Sequence, residues 1–305
     1  MRRWFRVGAA WLAACVLTAC AALPENSAPE PSSGEDSPFP VTAAGVTLKA
    51  SPERIVVLAP VLADTVSELS VGSRLCGVST ACLSAVSDGV TDLGDQYALN
   101  TDRLTALRPD LVMALTMTPE LTDWQTAQGV PVAVLDAPAD LSGLRRLTAD
   151  VAALLFGGGS DEKAAAVCDA VEDGLAALSA KIPLPETPRR AVYLPDDTGA
   201  AATGDTLWQP VFDSLRLSNI AADGTGWTLP ENAKQPDIVI VPEALKAAAK
   251  KQYPSAEIVT VSEEAALRGG MALVQTAQYL AQALYPEVFP ADLSEDMSET
   301  GSADG

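Results

Sequence analysis

The run Ile55-Val56-Val57-Leu58 constrains the fold more than any other stretch of the chain. It is unbroken, apolar and mostly β-branched, so as a strand it carries apolar side chains on both faces. Such a strand suits a parallel sheet covered by helices on both sides. Pro52 holds the chain extended ahead of it. Ala59-Pro60 ends it, and a helical segment follows through Ser70. The folded part therefore opens with a β-α step.

The same grammar recurs downstream. Val41 to Lys49 predicts a short hairpin turning at Gly45. Leu75 to Val78 reads as a second short strand, and Leu93 to Tyr97 as a strand end and its loop. Asn100 to Arg108 is a short helix with a cap at Asn100 or Thr101. Pro109-Asp110 stops it, and Leu111 to Leu115 is a third buried strand. A helix over Leu121 to Gln128 ends at Gly129, and Val130 to Leu135 is a fourth strand. Alternating strands and helices predict a parallel α/β lobe.

Leu141 to Phe156 is amphipathic and runs into Gly157-Gly158-Gly159. No strand precedes the glycines and no Lys-Ser/Thr follows in P-loop spacing, so they read as a flexible break. Ser160 to Lys181 predicts a long helix with Ala164, Cys168, Val171, Leu175 and Leu178 on one stripe. Beyond it, Ala191 to Leu194 and Ile258 to Val261 read as strands. Leu207 to Leu217 and Gly270 to Leu284 read as helices. Pro236-Asp237-Ile238-Val239 repeats Pro109-Asp110-Leu111-Val112, which predicts two similar lobes rather than one large sheet. The expected organisation is a leader over 1–19, a tether over 20–40 and a first α/β lobe over 41–158. A connecting helix over 159–184, a second lobe over 185–290 and a disordered acidic tail over 291–305 complete it.

The N-terminus supplies an address. Arg2, Arg3 and Arg6 precede an apolar run from Val7 to Ala19 that falls short of the about 20 residues a spanning helix needs. It fits a signal peptide. Leu17-Thr18-Ala19-Cys20 looks like a bacterial lipobox, which implies cleavage before Cys20 and lipid on its thiol. The Pro-, Ser- and Glu-rich residues after it suit a flexible tether. The expected location is the outer face of the cytoplasmic membrane, held by the lipid anchor alone. Cys76 and Cys82, outside the cytoplasm, fit either a local disulfide or two separate buried thiols, and Cys168 reads as core.

Charge and composition exclude whole classes of function. With 20 basic against 40 acidic residues the net charge is −20, which argues against nucleic acid and anionic lipid head groups as partners. The chain has no histidine, which removes Ser-His-Asp and Cys-His catalysis and His-ligated metal or haem. No catalytic residue, resident cofactor or metal ligand is expected.

Taken together, Ser51 to Pro60, Glu68 to Thr80 and Leu93 to Ala114 resemble the substrate-binding proteins of ABC importers for ferric siderophores, haem and cobalamin. The likeness extends from about Val41 to Pro286. It implies two Rossmann-like α/β lobes joined by one long helix, with the ligand cleft between them. It implies a cargo that contains iron or cobalt, and an ABC permease with its ATPase as partners. The strand-end rule then assigns Thr80, Gln96, Tyr97 and Met117 from the first lobe and Thr203, Trp208 and Trp227 from the second to the ligand. Trp227 matches a place where many members carry an aromatic. Asp102 matches the first-lobe acid that docks on the permease, Glu231 is the nearest second-lobe candidate, and Asp64 matches a further frequent family acid.

Arginine, the usual bidentate partner for the anionic oxygens of siderophores, is missing from these strand-end loops until Arg268. That tilts the expected cargo towards a near-neutral corrinoid. A carboxylate-dependent enzyme using Asp95, Asp196 or Asp197 is a second reading. A sensor or scaffold lipoprotein on the same fold is a third.

Overall fold

The computed structural model describes residues 38–290. The expected leader, Cys20, most of the tether and the acidic tail lie outside the described residues. Val41–Ala43 (β1) and Val46–Leu48 (β2) form the expected antiparallel hairpin, with Ala44 and Gly45 at φ 45° and 76° in its turn.

The first sheet contains Ile55–Val57 (β3), Leu75–Val78 (β4), Thr91–Asp92 (β5), Leu111–Ala114 (β6) and Val132–Val134 (β7). Its order is β5-β4-β3-β6-β7 and every pairing is parallel. The two-residue period of a strand divides its side chains between two cores. Ile55, Val57, Leu111 and Met113 face one, and Val56, Leu58, Val112 and Ala114 face the other. Pro60–Glu68 (α1) packs in the first core. Thr101–Leu107 (α2) and Pro119–Gln128 (α3) cover the second. Asn100 is the cap of α2, its Oδ1 accepting the Arg103 N–H at 2.9 Å. Gly129 ends α3 in the left-handed region at φ 69°.

Leu141–Phe156 (α4) leads to Asp161–Lys181 (α5), which buries the five stripe residues Ala164, Cys168, Val171, Leu175 and Leu178. At 21 residues α5 is about 30 Å long, and it packs against α4 on one side. The glycines between them are not a loose break. Gly157 sits at φ 81°, a Cβ there would collide with the Pro38 carbonyl, and Gly158 N–H donates to that oxygen at 2.7 Å.

The second sheet contains Arg190–Tyr193 (β8), Ser218–Asn219 (β9), Ile238–Pro242 (β10) and Glu257–Val261 (β11), ordered β11-β10-β8-β9 and parallel throughout. Its helices are Trp208–Ser214 (α6), Lys246–Gln252 (α7) and Met271–Leu284 (α8). Helices α6 and α8 pack on α5, and α7 lies over β10 and β11. The fold is thus two α/β lobes, each with its own sheet, as the repeat predicts.

The repeat also has a physical role. The Asp110 carboxylate accepts the backbone N–H groups of Glu53 and Arg54 at 2.8 and 2.9 Å, just ahead of β3. Asp237 does the same for Arg190 at 2.9 Å and adds two bonds from its guanidinium. Each aspartate thereby sets the register of the central strand pair in its lobe. The Arg190 side chain and then its backbone N–H hold the Asp237 carboxyl down at about 2. A depressed folded value contributes stability above the unfolded value of 3.8 and loses it as pH falls through about 2. Asp237→Asn is therefore expected to melt below wild type above pH 4, with the gap closing towards pH 2. A gap that stays constant across that window contradicts the assignment.

Candidate cargo cleft

The C-terminal ends of both sheets meet at a cleft of about 330 Å³. The first lobe contributes Val61 at the start of α1, Leu115 after β6 and Ala137, Pro138 and Ala139 after β7. The second contributes Asp205, Thr206 and Leu207 ahead of α6, Gly226-Trp227, and Leu267-Arg268 after β11. The lining is mainly aliphatic and aromatic, with Asp205, Thr206 and Arg268 as its polar side chains. Such a surface grips by shape and apolar contact.

Trp227 is held by a built network. Its backbone lies at φ 65°, a left-handed value that a bulky residue rarely adopts. Its N–H donates to Thr203 Oγ1 at 3.3 Å, and its carbonyl accepts the Ala201 N–H at 2.9 Å. The Thr203 hydroxyl donates to Asp205, whose other oxygen accepts the Gly226 N–H at 3.1 Å. The Thr203 hydroxyl, with the Gly226 N–H adding to it, keeps the Asp205 carboxyl below its usual range. The Trp227 ring meets Tyr193 edge-on, 6.5 Å between centroids and 70° between planes.

Arg268 joins the lobes. Its Nε donates to both Asp64 oxygens at 2.9 and 2.8 Å, and its Nη2 donates to Oδ1 at 2.7 Å. Gly269 N–H adds a bond to Asp64 Oδ2 at 3.0 Å. One turn along α1, Glu68 Oε1 accepts the N–H of Met271 at the start of α8 at 2.6 Å, while its buried Oε2 has no partner. Two acids spaced i, i+4 on α1 therefore clasp the turn that enters α8.

Burial pushes the Glu68 carboxyl up to about 7; the Met271 N–H opposes the shift and the Asp64 charge adds to it. The folded value lies above the ordinary 4.5, so the stability it contributes is full below that value and is lost as pH rises through 7. Wild type is expected to lose melting temperature from pH 5 to pH 8. Glu68→Gln, which keeps an acceptor for Met271 and cannot ionise, is expected to flatten that slope. Equal slopes for the two proteins contradict the role of Glu68.

Against this geometry the sequence-derived candidates divide. Trp227 lines the cleft. Thr203 is fully buried and positions Trp227 rather than reaching the lining. Trp208 is also buried, stacked on Tyr193 at 3.7 Å, because α6 turns its first residue into the core alongside Phe212. Trp208, expected among the ligand contacts, therefore lies behind the cleft lining and not in it. Thr80, at the start of a short 3-10 helix after β4, and Gln96, Tyr97 and Met117, on loops after β5 and β6, stand at the cleft end of the first sheet but do not line the cleft. Thr80 donates to Asp92 at 2.8 Å, and Tyr97 is 63% exposed.

Asp102 and Glu231 are exposed, Asp102 in the first turn of α2. Asp64 is 5% exposed and bonded to Arg268, so it offers no surface for docking. Cys76 and Cys82 are free thiols. The first sheet separates them: Cys76 packs against the core under α2 and α3, and Cys82 lies in the core on the other face. Burial pushes the Cys82 thiol up to about 11. Sequence reasoning did not assign Val61, Leu115, residues 137–139 or Asp205 to the site. Leu115 and residues 137–139 follow β6 and β7, so the strand-end rule applied to every strand finds them.

Among the described residues, no cluster of three or more His, Cys, Asp or Glu side chains could hold a metal ion. Nor is any helix among them long and apolar enough to cross a membrane.

A family model described as periplasmic binding protein matches residues 55–230. The chain belongs to the periplasmic binding protein family. This binding protein is 24% identical over 314 residues to the "uncharacterized ABC transporter substrate-binding lipoprotein YvrC" of Bacillus subtilis, covering 95% of the chain and 99% of the relative. It is 28% identical over 218 residues to the cobalamin-binding protein of Halobacterium salinarum, covering 66% of the chain and 58% of that relative. The periplasmic heme-binding protein HutB of Vibrio cholerae superposes with a TM-score of 0.64 at 21% identity, over 77% of this chain and 100% of HutB. A periplasmic heme-binding protein from Pseudomonas aeruginosa gives 0.62 at 22% identity, over 78% and 94%. The chain is thus a two-lobed member of the periplasmic binding protein family, and the relatives named above are described as binding proteins.

Proposed function

We propose that the protein captures a corrinoid or metal chelate between its lobes and delivers it to an ABC permease, with a cobalamin-like cargo favoured over a ferric siderophore. One observation carries the preference. Among the described residues lining the cleft, Arg268 is the sole cation, and its guanidinium is committed to Asp64. An anionic siderophore would find no free positive charge there. A near-neutral corrinoid needs none, and the Trp227 ring and the aliphatic lining suit the methyl and methylene groups around its ring. The cobalamin-binding relative from Halobacterium salinarum agrees with this choice.

In this reading Trp227 is the cargo contact and Thr203 its support. Tyr97, Met117, Thr80 and Gln96 belong to loops that meet the outer parts of a cargo larger than the cleft. Asp102 and Glu231 are the acids offered to the permease, and a lipid on Cys20 holds the protein beside it at the membrane. The test is calorimetry of the pure protein with cyanocobalamin, haemin and a ferric catecholate. Tight binding of cyanocobalamin supports the reading. Tight binding of the ferric catecholate with no response to cyanocobalamin overturns it.

A further inference from the structure

Two polar atoms beneath the cleft have no hydrogen-bond partner, the Tyr193 hydroxyl and the Trp208 indole N–H. Their side chains are 0% and 1% exposed, and their rings stack at 3.7 Å with 10° between planes. Leaving a buried donor unpaired costs about 1–3 kcal/mol, so two in one stack call for a physical reason. Around the cleft, Thr203, Asp205, Asp64 and Arg268 are all bonded, and the other buried atom without a partner is the Glu68 Oε2 of the α1 clasp. The ring that meets the Tyr193–Trp208 stack from the cleft side belongs to Trp227, whose left-handed backbone is itself strained. At about 330 Å³ the cleft sits near the low end for a drug-sized ligand, so a tetrapyrrole-sized cargo needs additional room.

We infer that Trp227 covers a second, polar storey of the cleft, in which the Tyr193 hydroxyl and the Trp208 N–H donate to an acceptor oxygen on the cargo, an amide carbonyl or a carboxylate. Displacement of the Trp227 ring opens that storey and relieves both unpaired donors at once. Burial, with the nearby charge of Asp196 adding to it, keeps the phenol protonated, so Tyr193 donates throughout the physiological range. Cargo with acceptor oxygens at its periphery would be selected over a bare hydrocarbon macrocycle of the same size.

This inference rests on the cargo-binding reading above, and its test separates the two. Tyr193→Phe removes one unpaired donor and keeps the stacked ring. The variant is expected to melt at or above the wild-type temperature, because an unsatisfied hydroxyl is gone. It is expected to bind the probe about five- to tenfold more weakly by calorimetry, the probes being cyanocobalamin, with amide carbonyls, and haemin, with carboxylates. Unchanged affinity for a probe that wild type binds overturns the inference and leaves the reading standing. A melting temperature well below wild type overturns it too, since the hydroxyl would then have a partner inside the folded chain. A wild-type protein that takes neither probe overturns the reading and this inference together.

Discussion

Arg268→Ala is expected to cost about 3–5 kcal/mol of folding stability, a large share of what a domain has to lose. The substitution leaves the Asp64 carboxylate 5% exposed and facing a core, with the Gly269 N–H as its remaining partner. The guanidinium that is removed binds that carboxylate through three N–H···O contacts of 2.7–2.9 Å across 204 residues of sequence. Removing one member of a buried pair strands its charge, whereas replacing both by apolar groups of similar volume is often close to neutral. The double variant Asp64→Leu, Arg268→Met is accordingly expected to recover much of the loss. Urea midpoints of wild type, both single variants and the double variant would measure the coupling. A loss below about 1 kcal/mol for Arg268→Ala would mean the pair acts as an exposed one.

The second large effect separates the two tryptophans. Trp208→Ala is expected to cost about 3–5 kcal/mol, since the side chain is fully buried against Tyr193 and Phe212 and its loss opens a cavity. Trp227 is half-buried at the cleft and sits on strained backbone, so Trp227→Ala is expected to cost about 1 kcal/mol or less. Binding should follow the opposite order. Trp227→Ala keeps a folded protein that holds cyanocobalamin at least tenfold more weakly, a loss of about 1.4 kcal/mol. Equal stability losses at the two positions would contradict the division of labour between core and contact.

Much of the architecture was legible because it rests on local periodicity. The all-apolar run at β3 announced a sheet covered on both faces, and its alternate residues do divide between two cores. The Pro-Asp repeat announced two lobes because each copy performs the same task at the start of a central strand. The stripe on α5 announced its buried face residue by residue. The site was less legible, because strand ends name loops and not the directions of side chains. Trp208 lies in a strand-end connection like Trp227, but the docking of α6 on the core turns it inwards. Asp64 and Arg268 lie 204 residues apart, and no local pattern pairs them. Cys76 and Cys82 are close in sequence yet lie on opposite faces of a sheet.

The most direct test of the central claim is native mass spectrometry of the protein purified from its own host without denaturation. A carrier of this kind is expected to emerge with one small molecule bound, a corrinoid or chelate whose mass includes cobalt or iron. A bare chain that also fails to take up cyanocobalamin or haemin when either is supplied would contradict the account.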